Sequence, residues 1–228
     1  MKVPRCLAII PDGNRRWAMK HSWSTSGGHS NGLKNCLTIA RAAFDRGVEH
    51  VAFWAMSEEN LRNRPVREVE YLFDLLKSEL RRRLKEPEEV CFHLCGAWQE
   101  FRQDTELVEL IDLVHAKSER HTKHHLTVLF GYGGWSEIES ATIRLWQQNI
   151  PPTRAKIWEK MWTHYLPSAD LLIRTGVESD PHWSDLFLPM QIRGTQLRFE
   201  KIYWPEFGVE HLEQAFEDFS NRARRRGA

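Results

Sequence analysis

No stretch of this chain comes near the roughly eighteen consecutive apolar residues of a membrane-spanning helix, so no span is expected. Charge of one sign is missing too: 32 lysines and arginines against 31 aspartates and glutamates leave a formal net charge of +1. So even a balance gives no global steering toward nucleic acid, which is set aside as a partner. Cysteine is scarce, with Cys6, Cys36, Cys91 and Cys95 as the four. They form no Cys-x-x-Cys pair, lie in apolar segments and follow no secretory leader, so a reducing cytoplasm is the expected compartment. Internal repeats, low-complexity tracts and an interdomain linker are also absent, and Pro151-Pro152 reads as a loop between two helices. One domain over residues 1–228 is therefore expected, long enough to bury a sizeable core. Tryptophan breaks this run of scarcities: the ten are scattered, which assigns most of them to the core and a few to an apolar site.

Short apolar runs alternate with helical periodicity, the pattern of an α/β protein built on a largely parallel sheet. The expected strands are Leu7 to Ile10, Val51 to Ala55, Val90 to Cys95, Leu126 to Phe130, Leu171 to Arg174 and Gln196 to Phe199. Leu33, Leu37, Ala40 and Phe44 form one helical stripe that ends at Gly47, a plausible C-cap. Val69, Leu72, Phe73, Leu76 and Leu80 form a second, which runs into the charged segment Arg81 to Lys85. Further helices are expected at 104–119, 136–148, 154–165 and 209–225.

The stretch CLAIIPDGNRRWAMKH begins as a strand and ends as a helix, with Asp12-Gly13-Asn14-Arg15-Arg16-Trp17 at its hinge. In a parallel sheet, ligands bind at the carboxyl ends of strands, and this turn is at one. Gly13 lets backbone N–H groups approach an anion, the helix start adds its dipole and Arg16 adds a fork of donors, which together make a diphosphate cradle. Asp12 would repel that anion unless a hard cation bridged the two. Mg²⁺, which takes few protein ligands, suits the position. The bland alternative is an ordinary Asp-Gly-Asn surface turn with solvated arginines.

IIPDGNRRWA, followed by Gly28-His29, SEENLRNRP (57–65), GYGG (131–134), DLLIRTG (170–176) and YWPEF (203–207), resembles the cis-prenyltransferase family over nearly the whole chain. The resemblance implies a homodimeric α/β fold with a central six-stranded sheet and a hydrophobic tunnel. It also implies Mg²⁺-dependent elongation of an allylic prenyl diphosphate by isopentenyl diphosphate with Z geometry. Carried over by position, Asp12 would hold Mg²⁺ and act as a catalytic residue, and Gly13, Asn14, Arg16, Trp17 and His29 would bind the allylic substrate. Ser57 and Asn60 match a polar pair beside the reacting carbons, and Arg64 matches a following arginine. Arg174 and Ser184 match the pocket for the second diphosphate, and Arg225 matches an Arg-x-Gly end that reaches across the dimer. A membrane surface, touched peripherally, joins the expected partners.

Several positions depart from the family pattern. Thr25 stands in the allylic site where an arginine is usual, Leu61 replaces a tryptophan, and no arginine occurs between Arg174 and Arg193, leaving His182 as the nearest substitute. Gln196 stands where the family has a metal-binding glutamate, and a neutral amide is a poor Mg²⁺ ligand. These losses gather in the second-diphosphate pocket and leave three readings. One is a regular but divergent prenyl diphosphate synthase. Another is an irregular, lavandulyl-type coupling of allylic diphosphates or transfer to another acceptor. The last is a noncatalytic partner subunit, although such subunits typically lose the Asp-Gly-Asn loop kept here. The segment between the second helical stripe and Gly96 is short, and Trp54, Met56, Phe92 and Phe130 are bulky, so products of about ten to thirty carbons are expected.

Overall fold

The first strand is apolar at every position because both of its faces are covered, as parallel sheets require. In the computed structural model, which describes residues 2–86, 89–179, 181–184 and 186–222, the strand is β1 (Cys6–Ile10). It is followed by α1 (Asn14–Lys20), α2 (Thr25–Asp45), β2 (His50–Ser57), α3 (Glu58–Asn63), α4 (Val66–Lys85) and β3 (Cys91–Cys95). Then come α5 (Trp98–Phe101), α6 (Thr105–Ser118), β4 (His125–Tyr132), α7 (Gly134–Gln147), α8 (Arg154–Lys160), β5 (Leu171–Arg174), β6 (Gln196–Phe199) and α9 (Val209–Asn221). The strands pair in the order β3-β4-β2-β1-β5-β6, and every pairing is parallel.

Alternation along the strands divides the core in two. Leu7, Ile9, Val51, Phe53 and Leu126 face one side, where they meet apolar residues of α2, α4, α6 and α9. Cys6, Ala8, Ile10, Ala52, Trp54 and Leu129 face the other, against Leu166, Phe187 and Leu188. Truncating a fully buried residue such as Ile9 to alanine would cost about 2–5 kcal/mol.

All six expected strands form, with β2 and β4 longer than their apolar runs suggest. His50 and His125 extend them at the start, where they pair with each other, and Met56, Ser57, Gly131 and Tyr132 extend them at the far end, where the register is irregular. The Leu33 stripe lies on α2, whose Ser24 cap accepts from Gly27 N–H and which ends one residue short of the cap Arg46, with Gly47 at φ +93°. The helix expected over 154–165 stops at Lys160. The buried Glu137 carboxylate takes the Thr163 N–H at 2.8 Å and its hydroxyl at 2.6 Å, holding that segment in turns against α7. The helix expected over 209–225 ends at Asn221, where Arg222 turns extended at φ −75° and ψ 126°, and positions 223–225 lie outside the described residues. α3 and α5, at six and four residues, are too short for periodicity to reveal.

Candidate active site

Chain geometry gathers the site where β1, β2 and β5 end side by side. After Ile10 the backbone turns through Asp12, whose N–H returns to the Ile10 carbonyl at 2.9 Å. Gly13 then takes φ +102°, where a Cβ would come within 2.6 Å of the Tyr203 ring. α2 crosses close to α1 because Gly28 has no side chain: a Cβ there would lie 2.4 Å from the Asn14 carbonyl oxygen. This close crossing brings His29 up against the Asp12 turn.

The Asp12 carboxylate is the electrostatic centre. Oδ1 accepts from Gly13 N–H at 2.6 Å and faces Arg16 Nη2 at 3.2 Å, while Oδ2 accepts from Arg174 Nη2 at 3.3 Å. Arg174 also donates to Ser184 Oγ at 2.7 Å and to the His182 carbonyl at 2.9 Å, and its buried Nε has no hydrogen-bond partner among the described residues. Arg16 is shared with Glu178 at 3.2 Å and lies 5.2 Å over the Tyr203 ring. On the opposite wall Glu68 receives His29 Nε2 at 2.9 Å and Arg64 Nη1 at 3.1 Å, with Arg15 Nε at 3.9 Å. Burial pushes the His29 pKa below its ordinary value and the Glu68 contact pulls it part of the way back, so at neutral pH the ring is neutral and donates its Nε2–H.

These groups line a polar cavity of about 760 Å³. A narrower apolar cavity of about 110 Å³ shares Pro11, Asn14, His29 and Ala55 with it. It continues between α2, α4 and the sheet past Leu37, Leu76, Phe92 and Phe130 to Glu79 and Arg83, an ion pair at 2.9 Å. An anion-binding mouth that opens on an apolar slot suits a molecule with a charged head and a hydrocarbon tail.

The family described as "Putative undecaprenyl diphosphate synthase" matches residues 10–227. This chain belongs to that family. It is a prenyltransferase. It is 32% identical to an isoprenyl transferase of Aquifex pyrophilus, over 100% of this chain and 97% of that protein. It is 34% identical to a ditrans,polycis-undecaprenyl-diphosphate synthase of Pseudomonas putida specific for (2E,6E)-farnesyl diphosphate, over 99% of this chain and 91% of that protein. The crystal structure of lavandulyl diphosphate synthase from Lavandula x intermedia in complex with dimethylallyl diphosphate superposes with a TM-score of 0.86 at 27% identity, covering 97% of each chain.

Of the positions carried over from the cis-prenyltransferase pattern, Asp12, Gly13, Asn14, Arg16, Thr25, His29, Ser57, Asn60, Arg64, Arg174 and Ser184 all line the polar cavity. Trp17 does not line it; its ring packs on His21 and Trp23, with centroids 4.8 and 5.6 Å away. His182 gives Arg174 its backbone carbonyl, and its exposed side chain is not among the residues lining the cavity. Gln196 begins β6 opposite Leu171, at the end of the sheet away from Asp12, and its buried Oε1 has no hydrogen-bond partner among the described residues. Arg225 lies outside the described residues.

Other expectations shift in detail. Gly13 N–H is taken by Asp12 rather than offered to a ligand, and Ser57 also caps α3 by accepting from Asn60 N–H at 3.1 Å. Phe92 and Phe130 line the apolar slot, whereas Trp54 and Met56 line the polar cavity. Sequence reasoning missed Glu68 and Glu178. Glu68 reads locally as an ordinary acidic residue in the first turn of a helix, which its capping position would explain on its own.

Proposed function

We propose that this chain ionises an allylic prenyl diphosphate and couples it to isopentenyl diphosphate, giving a short- to medium-chain product. The observation that carries the reading is the Asp12 carboxylate held between Arg16 and Arg174, at the mouth of a cavity that continues into an apolar slot. In the reaction, the allylic C1–O bond breaks and the diphosphate leaves with the electron pair. The double bond of isopentenyl diphosphate attacks C1, and loss of a proton completes the new double bond.

Arg16, His29 and Arg64 would bind the departing diphosphate, and Arg174 with Ser184 the second one. A bound diphosphate can displace Glu178 from Arg16, because that ion pair is solvent-exposed and therefore weak. Asp12 suits Mg²⁺: the carboxylate is partly exposed to the cavity, and this ion takes one or two carboxylates with substrate phosphate oxygens and water for the rest. When bound, the ion would neutralise charge developing on the leaving group. With Gln196 remote, Asp12 is the carboxylate in this chain that would hold it. Ser57 and Asn60 would flank the reacting carbons. The apolar slot favours products of about ten to thirty carbons, because a longer hydrocarbon would have to press on the buried Glu79–Arg83 pair.

One observation favours a second reading. Among the described residues the second-diphosphate pocket offers Arg174 and Ser184 without a companion arginine, so an allylic diphosphate or another acceptor could take the place of isopentenyl diphosphate. Incubating the protein and Mg²⁺ with dimethylallyl, geranyl or farnesyl diphosphate, with and without isopentenyl diphosphate, separates the two by mass spectrometry. Products that require isopentenyl diphosphate support elongation; products formed without it transfer the assignment to irregular coupling. A chain inactive alone and active only with a partner chain would be a noncatalytic subunit.

A further inference from the structure

The sheet end opposite the Asp12 cavity gathers imidazoles and a thiol where three strands begin. Register sets Cys91 of β3 beside His125 of β4 and His125 beside His50 of β2, so these side chains share a face. His93, two residues after Cys91, joins that face. Cys91 Sγ lies 3.3 Å from His93 Nε2, and the same nitrogen lies 3.3 Å from His125 Nδ1. All three atoms lie within 4.8 Å of one another. A tetrahedral ion with sulfur at about 2.3 Å and nitrogens at about 2.0–2.1 Å requires donor-to-donor edges of roughly 3.3–3.6 Å, so two of these edges are already close to that length.

The surroundings hold the donors in a ligating arrangement. His125 Nε2 is 3.2 Å from the Thr122 carbonyl; a proton there leaves Nδ1 with a free lone pair, the outer contact typical of a metal-bound histidine. Tyr165 stacks on His93 with centroids 3.9 Å apart, and its hydroxyl is tied to Thr127 at 3.1 Å and Cys95 at 3.4 Å. His50 stacks on His125 with centroids 4.5 Å apart.

We propose that Cys91 Sγ, His93 Nε2 and His125 Nδ1 form a binding site for one zinc-class divalent cation, separate from the Asp12 site. Two nitrogens and a sulfur select Zn²⁺ or Co²⁺ over Mg²⁺, which prefers oxygen. On binding, the Cys91 thiol gives its proton to solvent and ligates as the thiolate, with water in the fourth position. The ion would tie the edge strand β3 to β4. It would sit about 23 Å along β2 from Ser57, too far away to touch the reacting carbons.

The test uses the full chain, stripped with a chelator and titrated with Co²⁺ in excess Mg²⁺, followed by absorption. One equivalent should bind with a thiolate-to-cobalt charge-transfer band and intense tetrahedral visible bands, and Zn²⁺ should displace it. Cys91→Ser should remove the charge-transfer band, and His93→Asn or His125→Asn should weaken binding by at least about a hundredfold. A wild-type titration without a thiolate band overturns the assignment whatever the variants do. So does a band that survives in folded Cys91→Ser.

Discussion

The two ends of this one sheet treat ionisable groups in opposite ways. At the carboxyl ends of β1, β2 and β5, Asp12, Arg16 and Glu178 form ion pairs that water reaches, so an anionic ligand could exchange for one of the partners. At the amino ends of β2, β3 and β4, His50 is buried and His93 half-buried among other rings, and their pKa values are pushed down to about 4 and about 3. Desolvation decides the difference: solvent access keeps charge available for an ionic ligand, and its removal leaves neutral donors suited to a softer one.

The most direct way to break the comparison is Asp12→Ala. If the open end performs the chemistry, kcat should fall by at least about a thousandfold while Tm stays near that of the wild type, since electrostatic terms at a leaving group are commonly worth several kcal/mol. Near-normal turnover in steady-state assays would remove Asp12 from the mechanism.

Arg174→Ala should be next in size. Losing a bidentate contact to a phosphate forfeits about 1.5–3 kcal/mol, or roughly ten- to a hundredfold in affinity, and this should appear in the Kd of the second diphosphate alone. Arg16→Ala should act by a similar factor on the allylic substrate. If both variants weaken the same substrate, the division of the cavity into two diphosphate pockets is mistaken.

Glu68→Gln sharpens the contrast between charged and desolvated groups. It loosens His29 and Arg64 together and should raise KM for the allylic diphosphate by about tenfold, the order of one charge-assisted hydrogen bond. Its effect on pH dependence has a definite sign. The folded His29 pKa lies below its ordinary 6.5, so the unfolded chain binds the proton first. The stability tied to the neutral ring is therefore present above pH 6.5 and lost as pH falls from there toward the folded value. Removing the Glu68 charge lowers that folded value further, so the Tm of the variant should fall more steeply than the wild type's below pH 6.5. Parallel Tm profiles would show that Glu68 does not act on His29.

The smallest effect is expected from Gln196→Glu. Because Gln196 lies at the end of β6 away from Asp12, the Mg²⁺ dependence of kcat should change by less than about twofold, within the range of distant, uncoupled sites. A large gain in Mg²⁺ affinity would mean that a second copy of the chain brings this position to the cavity.

Local pattern was enough to read the strands and the Asp12-Gly13-Asn14 turn, because each depends on residues close in the chain and on the rule that ligands bind where parallel strands end, whereas Arg174 and Ser184 were assigned to one pocket by the family resemblance alone. Short-range spacing carries no account of which side chain fills a buried space, so it could not foresee that Glu137 would cut a helix short by capturing Thr163. Nor could it show that His182 would turn its carbonyl toward Arg174, or that Glu68 would gather His29, Arg64 and Arg15. The Cys91, His93 and His125 row is the clearest case. Its members are separated by as many as 34 residues, or 125 minus 91. Only the parallel register of β3 on β4 brings them within bonding distance of a common point, because backbone hydrogen bonds between strands set that register and a thiol or imidazole shows no sign of it along the chain.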